Sequence, residues 1–157
     1  MAAIDIAKSG CLILDSRMPD LTGQQVQQLL IKQHSPVAII YLTGHGDVPM
    51  AVDALKDGAI DFFQKPVNGQ ALVKSIEKAQ LWSRNKKLKI EHNQAVENLT
   101  KRERDILALV GKGYKNQRIS DELFISLRTV EVHRSNLMKH LNVNTMAELM
   151  LIYADAK

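Results

Sequence analysis

The sequence predicts an α/β half followed by an all-α half. In residues 11–67, short apolar runs alternate with stretches of helical spacing, which is typical of a parallel sheet with helical crossovers. From residue 68 onward the apolar residues follow helical spacing. Charge divides the chain similarly, because residues 1–67 hold 5 basic and 7 acidic residues whereas residues 100–157 hold 10 and 7. A basic excess in the helical part is the footprint expected of a surface that binds phosphates.

Three mainly apolar runs of four or five residues predict the strands of the first half. These runs are residues 11–14, 37–41 and 60–63. The segments between them have one-sided apolar spacing and predict helices at 23–33 and 48–56, the second stopping near Gly58. A further helix is predicted after Asn68. In such a parallel sheet the carboxyl ends of the strands meet at one edge, where chemistry gathers.

Three chemically different side chains stand at those predicted strand ends. Asp15 ends the first strand, Thr43 follows the second and Lys65 follows the third. A carboxylate can act as a nucleophile toward phosphorus, an ammonium offsets the charge of phosphoryl oxygens, and a hydroxyl donates a hydrogen bond to them. Each residue alone has an ordinary explanation, because aspartates form turns and a lysine before proline is commonly solvated. Together they predict a phosphoryl-binding crevice.

Residues 11–79 resemble the receiver domain of two-component response regulators, closest to the NarL/FixJ group. The match rests on three segments, LILDSRMPDLTG (12–23), YLTGHGD (41–47) and GAIDFFQKP (58–66). The resemblance implies that Asp15 is the phosphoacceptor and that Asp15 and the backbone carbonyl of Arg17 are Mg²⁺ ligands. It assigns the remaining family roles to three residues: Thr43 as switch hydroxyl, Phe62 as switch aromatic and Lys65 as phosphoryl partner.

The sequence departs from that family before Cys11. The first strand, first helix and second strand of a receiver have no counterpart, so the expected fold is a partial doubly wound, flavodoxin-like sheet lacking its first strands. The acidic pair that would hold Mg²⁺ is missing with them. Mg²⁺ is therefore expected for the complete family site but doubtful here, and phosphorylation is expected to be absent or slow. Strand 11–15 should become an apolar sheet edge, which predicts a homodimer or higher oligomer through this half.

The connector after the first half changes from amphipathic to polar. Beyond Trp82 basic residues predominate, and only a thin apolar stripe continues to Leu99. The helix either runs on as one rod or frays near residues 92–93. Three interpretations stay open: a solvated linker helix, a dimerising coil, and phosphate contacts from the lysines.

The clearest helical pattern of the second half is residues 127–141. Ser126 is a suitable N-cap, and the helix that follows has one apolar face. The opposite face is basic, polar and small, which suits the DNA major groove, although a solvated amphipathic helix would have the same pattern. Thr100 and Glu103 have the spacing of a capping box at the start of an earlier helix.

Residues 99–154 resemble the LuxR-type DNA-binding domain along their whole length. The matching segments are LTKRER (99–104), GKGYKN (111–116), TVEVHR (129–134) and LNV (141–143), with Ile119, Leu123 and Ser126 between them. The resemblance implies four helices, at about 101–111, 116–123, 127–141 and 145–154, the third being the recognition helix. Five residues are expected to face the groove: Arg128, Glu131, Val132, Ser135 and Lys139. Three others are expected near the DNA backbone: Thr129, Asn116 as the cap of its helix, and Arg134, which lies nearer the buried stripe.

These expectations combine into a DNA-binding transcriptional response regulator of a two-component phosphorelay. The predicted organisation is a truncated receiver domain at 1–79, a helical linker at 80–99 and a LuxR-type helix-turn-helix domain at 100–157. The expected partners are double-stranded DNA and a sensor histidine kinase, with RNA polymerase as a further candidate. The alternative is a phosphorylation-independent oligomerisation module with constitutive DNA binding.

Several other function classes are disfavoured by the sequence. No nucleotide-binding loop is present, so an autonomous phosphoryl-transfer enzyme is not expected. The single cysteine, Cys11, fits a reducing cytoplasm, and no apolar run is long enough for a membrane span. The five histidines lack zinc-ligand spacing.

Overall fold

A computed structural model describes residues 5–16, 18–44 and 48–157 of the chain. The chain divides into two compact units, Met1–Leu88 and Lys89–Lys157. The described elements are, in order, β1 (Cys11–Leu14), α1 (Gly23–Lys32), β2 (Ala38–Thr43), α2 (Val48–Lys56), β3 (Asp61–Gln64), α3 (Gly69–Glu97), α4 (Lys101–Gly111), α5 (Asn116–Leu123), α6 (Leu127–His140) and α7 (Met146–Asp155). None of the described helices combines the length and apolar character that a membrane crossing requires.

The first unit is built on a parallel three-stranded sheet with the order β1-β2-β3. Cys11 pairs with Ala38 across β1 and β2, and Ile40 pairs with Asp61 across β2 and β3. The central strand is buried on both sides, as its continuous apolar run predicts. The predicted α/β fold with parallel strands is confirmed, and β1 lies at one edge of the described sheet.

Alternating residues of β2 point to two different cores. Ile39 and Tyr41 pack with Leu30 of α1 and Ala54 of α2. Ala38 and Ile40 pack instead with Ala79 of α3, and Ile60, Phe63, Leu72 and Ile76 are added at the margin of that core. The sheet therefore lies between two helices on one face and one helix on the other.

The long helix α3 is tied to the sheet by a buried serine. The Ser83 hydroxyl donates to the Pro36 carbonyl at 2.6 Å and accepts from the Gly10 N–H at 2.9 Å. Ser83 itself is fully buried. The helix continues without a break through residues 92–93, which resolves the choice that the sequence left open in favour of a continuous helix.

The second unit is an all-α bundle of α4 to α7, as predicted. Its core holds ten buried apolar residues, among them Ile106 of α4, Ile119 of α5, Leu137 of α6 and Leu149 of α7. The last turns of α3 and the turn after it belong to the same core, through Ala95, Val96 and Leu99. The domain boundaries at 79/80 and 99/100 remain predictions.

Candidate functional site

The three side chains predicted at the strand ends lie together in the structure. Asp15 directly follows β1, Thr43 is the last residue of β2, and Lys65 directly follows β3. The Lys65 Nζ atom is 3.1 Å from Asp15 Oδ2, an ion pair whose side chains are 51% and 34% exposed. The Lys65 backbone N–H donates to the Thr43 carbonyl at 2.8 Å. The parallel register therefore places a carboxylate and an ammonium side by side in a crevice that water can enter.

A second hydroxyl, which the sequence did not indicate, joins this group. Ser16 is buried, and its Oγ lies 2.6 Å from the Oγ1 of Thr43, which is only 1% exposed. The same Oγ donates a long hydrogen bond of 3.5 Å to Asp15 Oδ1. The available signal was the position of Ser16 directly after Asp15 at the end of a predicted strand, because a hydroxyl that becomes buried there needs a nearby partner.

Phe62 lies in β3, before the crevice residue Lys65, and stacks on Tyr41 of the central strand. Its ring centroid is 5.8 Å from that of Tyr41, its partner across the β2–β3 ladder. The Tyr41 hydroxyl donates to Gln27 Oε1 at 2.9 Å, and Gln27 Nε2 donates to the Ala54 carbonyl at 2.9 Å. Burial, with a smaller effect of the Asp57 charge, raises the pKa of Tyr41 to about 12, so its proton is retained at neutral pH. These two hydrogen bonds connect the aromatic pair to α1 and α2.

The described crevice does not fit a complete Mg²⁺ site. Arg17, whose carbonyl was predicted as a ligand, lies outside the described residues. Within residues 5–16, 18–44 and 48–157, no group of three or more histidine, cysteine or carboxylate side chains is arranged to hold a metal ion. Asp15 supplies a carboxylate, whereas Mg²⁺ takes six oxygen ligands, often with several waters among them.

Helix α6 begins and packs as the sequence predicts. The Ser126 side chain caps it by accepting from the Thr129 N–H at 3.1 Å, and the Ser126 Oγ also lies 2.8 Å from Thr129 Oγ1. Val130 and Leu137 are fully buried in the core of the second unit, and Leu141 just beyond the helix is 7% exposed. The apolar stripe is therefore committed to packing, which leaves the opposite face to solvent.

The exposed face of α6 mixes charged, apolar and small side chains. Arg128 forms an ion pair with Glu131, with 3.4 Å between Nη1 and Oε2. The Arg128 side chain is 83% exposed and the Glu131 side chain 46%. Val132 is 45% exposed, and Ser135 and Lys139 are also exposed. All five predicted groove-facing residues are thus accessible on one helix that is anchored by its other face.

The predicted capping role of Asn116 is wrong. Lys115 occupies the N-cap of α5, with extended backbone and no side-chain cap bond, and Asn116 is the first residue of the helix. Asn116 Oδ1 instead accepts from Arg134 Nη1 at 2.6 Å. Burial lowers the pKa of the half-buried Arg134. Because the Arg134 guanidinium donates to the amide oxygen that a helix cap would use, this pair links α5 to α6. The predicted contacts of Asn116 and Arg134 with the DNA backbone remain predictions.

Comparison with known families agrees with both halves of the chain. The family model described as "Response regulator receiver domain" matches residues 1–77, and the model described as "Bacterial regulatory proteins, luxR family" matches residues 97–153. These matches support the DNA-binding regulator rather than the interaction-module alternative.

Individual relatives and a solved structure align with most of this chain, across both of its parts. The tetrathionate response regulatory protein TtrR of Salmonella typhimurium is 41% identical over 150 residues, which cover 96% of this chain and 73% of TtrR. The response regulator protein TodT of Pseudomonas putida is 40% identical, over 91% of this chain and 65% of TodT. The chain thus spans about two thirds to three quarters of the length of these two relatives. The structure of the response regulator StyR aligns with a TM-score of 0.60 and 38% identity, over 94% of this chain and 76% of StyR. The chain belongs to the family of two-component response regulators that join a receiver domain to a LuxR-type DNA-binding domain.

Proposed function

We propose that Asp15 receives a phosphoryl group and that α6 reads DNA in the major groove. The observation that carries the DNA half is the division of α6 into a buried apolar stripe and an accessible face with Arg128 and Lys139. A helix held in this way can enter the groove without unpacking its own domain. The observation that supports the input half is the Asp15–Lys65 ion pair beside the buried Thr43 hydroxyl.

The crevice suits phosphoryl transfer from a phosphorylated histidine of a sensor kinase. An Asp15 carboxylate oxygen attacks phosphorus, the P–N bond to the histidine breaks, and an acyl phosphate forms on Asp15. Lys65 offsets charge on the phosphoryl oxygens, and the Thr43 hydroxyl donates a hydrogen bond to one of them. In receiver domains Mg²⁺ neutralises further charge. Because the described residues include no group of three or more metal-binding side chains, we expect transfer in this chain to be slow.

Incubation with acetyl phosphate and Mg²⁺ tests the role of Asp15. We expect slow, partial addition of one phosphoryl group to the full chain and none to Asp15→Asn, because the amide is not a nucleophile. Intact-mass spectrometry measures the added mass, and Asp20→Asn is the control, since Asp20 is exposed and lies outside the ion pair. Equal labelling of the wild-type chain and Asp15→Asn would contradict the assignment.

Replacement of Lys139 by alanine tests the DNA face of α6. We expect binding to a mixed-sequence duplex to weaken about tenfold, because a charged hydrogen bond to phosphate is lost. The slope of log K against log salt should fall by about one. Fluorescence anisotropy at several salt concentrations gives both values. Lys56→Ala removes the same charge from α2 and should leave the slope unchanged; an unchanged slope for Lys139→Ala would remove that residue from the phosphate contacts.

The chain is further proposed to self-associate through β1. This strand lies at one edge of the described sheet, and Ile13 is 42% exposed there. An apolar edge strand offers backbone groups to the strand of another chain. Sedimentation at micromolar concentration should show a dimer or larger species, whereas a single monomeric species would contradict this proposal.

The remaining parts of the proposal follow from DNA as the target. The chain acts in the cytoplasm, where the DNA and a kinase's cytoplasmic histidine are accessible, and it works by binding rather than as an enzyme with turnover. RNA polymerase is the partner proposed for its effect on transcription.

A further inference from the structure

Two buried hydroxyls meet beside the proposed phosphoacceptor. Ser16 is 4% exposed and Thr43 is 1% exposed, and their hydroxyl oxygens lie 2.6 Å apart. A separation this short is a hydrogen bond, in which one hydroxyl donates and the other accepts. The bond joins the segment that follows β1 to the last residue of β2, at the edge of the sheet where the crevice lies.

The direction of this hydrogen bond follows from a third group in contact with it. Ser16 Oγ also lies 3.5 Å from Asp15 Oδ1, and an ionised carboxylate can only accept. A serine hydroxyl has one proton, so a Ser16 that donates to Asp15 accepts from Thr43. In the unphosphorylated chain the Thr43 proton is therefore directed at Ser16 and not at the crevice.

Phosphorylation of Asp15 removes the cause of that direction. When an Asp15 oxygen attacks the phosphorus of acetyl phosphate, the P–O bond to the acetyl group breaks and acetate leaves with the bonding electron pair. Asp15 then carries a neutral carbonyl in place of a carboxylate, and the strong acceptors nearby are the charged phosphoryl oxygens. Because Ser16 has lost its charged acceptor, donation from Ser16 to Thr43 Oγ1 becomes the more favourable direction.

We propose that Ser16 is a positioning residue for phosphoryl transfer, and that its hydrogen bond with Thr43 reverses direction when Asp15 is acylated. Ser16 accepts from Thr43 before the transfer and donates to Thr43 Oγ1 afterwards, so that the Thr43 proton turns to a phosphoryl oxygen. Only the hydroxyl protons rotate. A hydroxyl that accepts one hydrogen bond donates a stronger one, so Ser16 strengthens the contact that Thr43 makes. This inference rests on the proposed function, because it assumes that Asp15 receives a phosphoryl group.

A double-mutant cycle in the full chain tests whether Ser16 acts through Thr43. Intact-mass spectrometry over an extended time course gives the initial rate of labelling by acetyl phosphate and Mg²⁺. We expect Ser16→Ala to lower this rate about three- to tenfold, because the hydrogen bond that orients the Thr43 hydroxyl is lost. Thr43→Val should lower the rate at least as much. The double variant should be no slower than Thr43→Val, because Ser16 has no effect without its hydroxyl partner.

Two further variants distinguish positioning from a contribution to folding alone. Ser35 is 3% exposed, and its hydroxyl donates to the Ile6 carbonyl at 2.6 Å, before the amino end of β2 and therefore away from the crevice. Ser35→Ala removes a comparable buried hydrogen bond and should leave the labelling rate within about twofold of wild type. Ser16→Thr keeps a hydroxyl and should be labelled at least about three times faster than Ser16→Ala. Urea denaturation identifies conditions in which each variant is folded.

The possible outcomes separate this inference from the proposed function. If the wild-type chain takes up no phosphoryl group at Asp15, the proposed function fails and the inference fails with it. If the wild-type chain is labelled and Ser16→Ala is labelled equally fast or faster, the inference alone is overturned. A double variant that shows the product of the two single effects would mean that Ser16 acts independently of Thr43, which also overturns the inference.

Discussion

Gly23→Ala should unfold or strongly destabilise the first unit. A Cβ at this position would lie 2.6 Å from Tyr41 Cε1 and 2.8 Å from the Asp15 carbonyl oxygen. Tyr41 is fully buried and hydrogen-bonded to Gln27, and the carbonyl belongs to the backbone at the end of β1. Neither neighbour can move cheaply, so we expect a loss of about 2–3 kcal/mol in the free energy of unfolding. The carbonyl that must shift belongs to the proposed phosphoacceptor.

Urea denaturation followed by Trp82 fluorescence measures this loss, because Trp82 lies on α3 in the same unit. Gly10→Ala is the matched control, since a Cβ there would meet nothing within 4 Å. We also expect Gly23→Ala to lower acetyl phosphate labelling of Asp15 under conditions in which the variant remains folded. A Gly23→Ala chain as stable as Gly10→Ala would show that the α1–β1 contact can relax, contrary to this prediction.

Glu103→Ala should strongly destabilise the second unit. Glu103 is 3% exposed, and its Oε2 accepts from the Thr100 N–H at 2.9 Å and from the Thr100 hydroxyl at 2.7 Å. Its Oε1 lies 2.6 Å from His140 Nδ1 at the end of α6. Alanine would remove half of the capping box of α4 and the link to α6 together. We expect a cost of about 2–4 kcal/mol.

The stability that Glu103 provides should depend on pH with a defined sign. Burial raises the pKa of its carboxyl, but the hydrogen bonds from Thr100 and the contact with His140 outweigh that effect and hold the pKa below its ordinary value near 4.5. A carboxyl whose pKa is lower in the folded state contributes above the unfolded pKa and loses its contribution as pH falls through the folded pKa. The wild-type unit should therefore weaken below about pH 4.5, and Glu103→Gln should weaken less over the same range.

Hydrogen exchange of the peptide 101–111 measures this local stability without requiring the two units to unfold together. Glu148 provides a matched control, because it is the N3 member of the capping box of α7 and also accepts from the N–H of its cap residue, Thr145, at 3.0 Å. Unlike Glu103, Glu148 is exposed. Glu148→Ala should therefore change the hydrogen exchange of α7 less than Glu103→Ala changes that of α4. Equal effects of the two substitutions would show that the buried link to His140 contributes nothing.

Local sequence patterns predicted the helices and strands, but not the side-chain contacts between residues that are distant in the sequence. The three strands follow from short apolar runs and the apolar stripe of α6 follows from helical periodicity, and both are properties of residues close in sequence. The hydroxyl pair of Ser16 and Thr43 joins residues 27 positions apart, and it depends on the register of two strands. The capping role of Asn116 was wrong for a related reason, because its best donor comes from Arg134 on the next helix. Residue type predicts the chemistry at a strand end, but only the packed fold decides which partner satisfies it.

The contacts at the end of α3 limit where an input domain and a DNA-binding domain of such regulators can be joined. Ala95, Val96 and Leu99 pack in the core of the DNA-binding unit, and His92 Nδ1 lies 2.6 Å from Asp155 Oδ2 near the end of α7. A gene fusion that joins a foreign input domain at residue 100 would leave that core open on one side. Junctions placed before His92 would transfer the output half with its packing complete. The last turns of the connector therefore form part of the DNA-binding unit that they stabilise. Viable recombination points between sensory and DNA-binding parts should cluster upstream of these turns.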